Sequence, residues 1–116
     1  MSKEAGRTFR DMKETIKVMI AACHMLLGHK YLNWPDEDYA TFGTLGDMTS
    51  AVQKNNPTRE QYMVLVVTWG KFLKSISDRI PVPELQTASL KLYNQVTEPY
   101  QKWFKENDDG KPKTND

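Results

Sequence analysis

Apolar residues in this chain recur at steps of three and four rather than two, and that period belongs to helices. Breakers cut the pattern into pieces of helical length: Gly28, Pro35, the run Asn55-Asn56-Pro57, Pro81 with Pro83, and Pro99. Such a chain is expected to be all-α. The spacing predicts a compact bundle of four main helices, at about 4–28, 35–54, 58–80 and 83–98. A short C-terminal helix or kinked extension follows at 99–106, because Pro99 must bend or end the fourth helix. Residues 1–106 are read as one domain. Residues 107–116 are polar, hold Gly110 and Pro112, and are expected to be a disordered tail.

The first helix carries Phe9, Met12, Ile16, Met19, Ile20, Cys23 and Leu27 on one face. Val18, Ala22 and Met25 add a second, so from Ile16 onward it is apolar nearly all round. A helix of that kind is expected at the centre of its bundle or against another chain. Gly28 stands where a glycine cap belongs. The second helix opens after Pro35 with Asp36, Glu37 and Asp38, which favour the positive end of the helix dipole. Its expected buried stripe is Tyr39, Phe42, Leu45, Met48 and Val52. Gly43, Gly46 and three threonines weaken it, so a break near Gly46 or a close neighbouring backbone is expected there.

Thr58 and Gln61 form a capping box at the head of the third helix. Tyr62, Leu65, Val66, Trp69, Phe72, Leu73, Ile76 and Ile80 then follow at helical spacing. In the fourth helix Leu85, Ala88, Leu92 and Val96 are expected to face inward. Thr97 is a candidate cap for the terminal helix.

Charge narrows the function classes. Sixteen basic residues balance fifteen acidic ones, so the net +1 gives no global attraction to nucleic acid or anionic lipid. Locally the balance alternates: +3 over 1–30, −4 over 31–53, +3 over 54–91 and −1 over 92–116. A single cysteine excludes an internal disulfide framework and a cysteine-based zinc site. No phosphate-cradling glycine loop and no HExxH occurs. His24 and His29 are five apart, about 500 degrees around a helix, so they share no face. Asp36-Glu37-Asp38 lacks a calcium-loop pattern and reads as a helix cap. No catalytic residues, metal ligands or cofactor are assigned. The start carries no secretory or myristoylation signal, and the longest apolar run is too short to span a membrane, so a cytoplasmic, reducing compartment is expected.

What remains is recognition. The first reading is a non-enzymatic protein–protein interaction module: a small adaptor, inhibitor or structural subunit, of the kind common among viral and phage accessory proteins. Tyr100, Trp103 and Phe104 are its first candidate contacts, since aromatic residues dominate interface hot spots. Trp103 and Phe104 are adjacent, so one helix face cannot bury both fully. Asp36, Glu37 and Asp38 form a secondary acidic patch. The apolar half of the first helix is a candidate homo-oligomer interface. The alternative is nucleic-acid binding through Arg7, Arg10, Lys13 and Lys17 on the basic half of that helix. A third reading is a small-molecule pocket between helices.

Overall fold

A computed structural model describes residues 9–107, with side-chain surroundings for residues 10–104. Its elements are α1 (Phe9–Leu27), α2 (Asp36–Lys54), α3 (Arg59–Asp78), α4 (Pro83–Thr97), a 3₁₀ turn (Glu98–Tyr100) and α5 (Gln101–Asn107). Among the described residues there is no strand. The expectation for the 107–116 tail lies outside the described residues, except for Asn107, which ends α5.

α3 is the centre of the bundle, and α1 is its main partner. The reason is the breadth of its apolar surface. All eight residues of its expected stripe are buried, and Met63 and Val67 extend the stripe sideways. α1, α2, α4 and α5 all pack on it. This corrects the expectation that the first helix is central: α1 buries Met12, Ile16, Met19, Cys23 and Leu27 against α3 but leaves part of its second face open. The side chain of Phe9 lies outside the described set.

Helix boundaries follow local chemistry. Thr58 Oγ1 accepts from the Gln61 amide at 3.1 Å, and the Gln61 side chain accepts from the Thr58 amide at 2.8 Å. The capping box is therefore closed in both directions. Thr58→Ala is expected to cost about 1 kcal/mol, read as a lower urea midpoint at unchanged slope. Pro83 occupies the first position of α4, where a missing N–H costs nothing.

The end of α1 is built differently from its glycine reading. Gly28 bonds to the His24 carbonyl at 3.0 Å without entering the left-handed region. Two side chains from downstream serve the last carbonyls instead. The Trp34 indole donates to Leu26 O at 2.8 Å, and the Tyr39 hydroxyl donates to Leu27 O at 3.1 Å. Trp34 thus plugs the end of the bundle, and Tyr39, expected in the buried stripe, instead stands 46% exposed with its hydroxyl on that carbonyl.

α2 runs unbroken through Gly46, which corrects the expected break. Neither Gly43 nor Gly46 meets a close neighbour: a Cβ built on either touches nothing within 4 Å. Leu45, Asp38 and Thr49 of this helix are buried, and Phe42, Met48 and Val52 pack half-buried against the core. Gly43→Ala and Gly46→Ala are each expected to stabilise the fold by about 0.8–1 kcal/mol, since alanine adds helix propensity and no clash. A melt of the double variant checks this.

α4 packs through small polar contacts. Ser77 of α3 and Ser89 of α4 share a buried hydroxyl hydrogen bond. Leu85, Leu92 and Val96 are half-buried, while Ala88, expected to face inward, is exposed. Thr97 ends α4 and does not cap α5: its hydroxyl donates back to Tyr93 O at 2.7 Å and accepts from Gln101 at 3.0 Å. Pro99 converts the junction to a 3₁₀ turn, and α5 folds back onto α3.

Candidate functional site: an apolar groove between α1 and α4

The terminal aromatic segment is mostly core. Tyr100 and Phe104 are buried, and Trp103 is half-buried against the core. The Phe104 ring lies on Gly70 of α3 and meets the Tyr93 ring edge-on at 6.1 Å. Burial removes Tyr100 and Phe104 from an exposed contact surface. The sequence argument that one helix face cannot bury both neighbours holds in part, since Phe104 faces in and Trp103 sits at the margin.

The acidic turn divides in the same way. Asp36 and Glu37 are exposed, whereas Asp38 is buried. Asp38 takes a two-pronged hydrogen bond from the Arg79 guanidinium, at 2.8 and 3.0 Å. That pairing holds the Arg79 guanidinium above its usual range. Arg79 also lies over the Trp34 ring at 5.5 Å and donates to Ser75 O at 3.1 Å. Asp38 therefore ties the start of α2 to the end of α3. Asp38 pairs with a residue forty-one positions away, so single-sequence reasoning had no means of assigning its mate.

Of the basic set on α1, Arg10, Lys13 and Lys17 are exposed at steps of three and four, with Glu14 beside them. Arg7 lies outside the described residues. A polar cleft of about 740 Å³ opens between α3, α4 and α5. Its wall includes Lys74, which bonds Asp78 at 2.8 Å, and Arg79, already engaged with Asp38. Among the described residues no group of three His, Cys, Asp or Glu side chains is placed to hold a metal. Cys23 is buried, and burial pushes its thiol up to about 12. It should resist thiol reagents at neutral pH in the native protein and react only on unfolding, which timed labelling with mass detection will show. His24 stands at the surface against the Phe42 ring at 6.0 Å, so the two neighbours form no nucleophile pair.

The surface that sequence reasoning described only in part is the second face of α1. Val18, Ala21 and Met25 line one wall of a groove of about 360 Å³, and Leu85, Ala88 and Leu92 of α4 line the other. Ala22 and Ser89 lie between them. Small residues make the floor and longer aliphatic ones the walls. Met25 is 71% exposed and Val18 38% exposed. The nearly all-round apolar character of α1 was the signal for one wall. The other wall was hidden because Ala88, Leu85 and Leu92 were all assigned to the core. No family model, curated protein or solved structure matches the chain. Among the described residues no helix is long and apolar enough to cross a membrane.

Proposed function

We propose that this chain is a non-enzymatic protein-binding module, a small adaptor, inhibitor or structural subunit, and that its contact surface is the α1/α4 groove. The observation that carries this reading is Met25, a large apolar side chain left in solvent on the wall of an apolar groove. A concave face with small residues beneath and aliphatic walls accepts the apolar stripe of a helix. Methionine suits such a wall because its unbranched thioether adapts to what it meets. The buried, unpaired thiol of Cys23 accords with a reducing, cytoplasmic setting.

The nucleic-acid alternative rests on Arg10, Lys13 and Lys17, with Asp11 and Glu14 interleaved among them. Those acidic neighbours weaken the basic set, so the apolar groove is the preferred site.

Photo-cross-linking in living cells tests the proposal. A benzophenone amino acid in place of Met25 is expected to give a discrete protein adduct, while the same group in place of exposed Ser50 on α2 gives none. Absence of a protein adduct at position 25, with a folded chain, would reject the groove as the contact surface.

A further inference from the structure

We infer that the occupant of the α1/α4 groove is a second copy of this chain, docked with its α1 antiparallel to the first. The inference rests on the groove being a protein-contact surface, and it deepens that reading by naming the partner.

Three observations select a second copy. The first is the composition of the segments outside the described residues. Residues 1–8 and 108–116 contribute only Met1, Ala5 and Pro112 as apolar side chains, so neither segment carries an apolar stripe that matches the groove.

The second is the spacing of the exposed seam. Glu14, Val18, Ala21, Met25 and Gly28 follow one another at steps of four, three, four and three. That is the spacing by which two helices mesh along a common seam. A two-fold patch must be complementary to itself, holding both a projection and a recess. Met25 is the projection, and the small buried floor of Ala22 and Ser89 is the recess. With the two-fold axis beside Ala21 and Ala22, Val18 of one copy lies level with Met25 of the other, and alanine meets alanine where the helices come closest.

The third is charge. A parallel pairing would set the exposed Arg10, Lys13 and Lys17 against their own copies, which repel. The antiparallel pairing sends those cations to opposite ends. There they arrive at the end of the partner where α1 stops and α2 begins. The bonds from Trp34 and Tyr39 to the last carbonyls of α1 place that end beside the start of α2. Exposed Asp36 and Glu37 stand there. Glu14 falls level with His29, and Lys13 falls level with exposed Lys30, so the attraction at that end comes from Asp36 and Glu37. The alternation of local charge along the sequence, basic then acidic, is complementary in this arrangement.

The face is two helices wide and, from Glu14 to Gly28, about 20 Å long, on the order of 800 Å² over both copies, the size of weak, transient contacts. The dimer is therefore expected to be reversible.

Sedimentation equilibrium of the full chain across a concentration series tests the inference. The mass is expected to rise from 13.4 kDa toward twice that value as concentration increases. Met25→Glu should weaken association by about a hundredfold or more, because it would bury an unpaired charge. At concentrations where both chains are monomeric, its helix content and melting should stay as in the parent, since Met25 contributes little to the core. A second variant needs no loss of function. Under mild oxidation Ala21→Cys is expected to form a disulfide-linked dimer, and Ser50→Cys none. Cys23, buried in the core, does not compete.

A chain that stays at 13.4 kDa throughout, with no Ala21→Cys cross-link, overturns the second copy. The groove reading then stands or falls by the cross-link from position 25, whose adduct would be a different protein. A dimer that survives Met25→Glu and shows no Ala21→Cys cross-link uses another face and overturns the second copy in the groove, and the cross-link from position 25 again decides the groove reading.

Discussion

Gly70→Ala is expected to detach the C-terminal helix from the bundle at a cost of about 2–3 kcal/mol. A Cβ at position 70 would overlap Phe104 Cζ and Cε1, which forbids the present packing. The ring cannot swing aside cheaply, because it is buried and has the Tyr93 ring at its edge. Either Phe104 leaves its site or α5 shifts away from α3. A seven-residue helix has too few internal hydrogen bonds to persist without such a contact. The variant should therefore expose α5 amides to hydrogen exchange while α1 and α3 stay protected. A double-mutant cycle isolates the cause. Phe104→Ala should itself cost about 3–5 kcal/mol. In that background the atoms it strikes are gone, so Gly70→Ala should cost nothing and gain up to about 1 kcal/mol of helix propensity. Full additivity of the two losses would show that Gly70 acts through something other than Phe104.

The larger expected loss is at Trp69. It is fully buried where α2 meets α3, with Phe42 edge-on at 5.6 Å and Phe72 at 6.3 Å. Trp69→Ala should cost about 3–5 kcal/mol through lost contacts and the cavity left behind. Small domains have only about 5–15 kcal/mol in hand, so this change alone brings the chain near unfolding. The indole N–H contributes separately. It donates to Thr49 Oγ1 at 2.8 Å, and the Thr49 hydroxyl donates in turn to Leu45 O at 2.8 Å. Thr49→Val keeps the shape and removes the acceptor. Leaving the buried N–H without a partner should cost about 1–3 kcal/mol. Urea titrations of both variants, followed by circular dichroism, measure the two losses. A Thr49→Val midpoint equal to the parent's would mean that the indole finds another acceptor.

Periodicity made the helices legible. The third helix was clearest, since twenty residues carry one wide apolar stripe and a capping box opens it. The second was readable in extent but not in its contacts. Tyr39 falls on the apolar spacing, yet its hydroxyl is drawn to a carbonyl at the end of α1, and a wheel of one helix cannot show the end of another. The glycines misled for a related reason. Propensity marks Gly43 and Gly46 as weak points, while the glycine that matters sterically is Gly70, inside the most regular helix. Its role depends on Phe104, which the fold brings across from the chain's far end. The candidate surface was half legible. Val18 and Met25 announced an apolar second face, but whether α4 covers it depends on where that helix lies, and its small buried contacts, Ser89 and Thr97, carry no hydrophobic signal.

The pairing of α1 chiefly with α3 also bears on how the chain is made. Ribosomes add about 5–20 residues per second, and domains fold as their parts emerge. α1 is complete at Leu27, but α3 ends only at Asp78. The most apolar stretch of α1 thus waits several seconds with its principal mate still unborn. Throughout that wait Met12, Ile16, Met19 and Cys23 face solvent together with Val18 and Met25. Slower synthesis between α1 and α3 would lengthen the interval in which that stretch is without its mate.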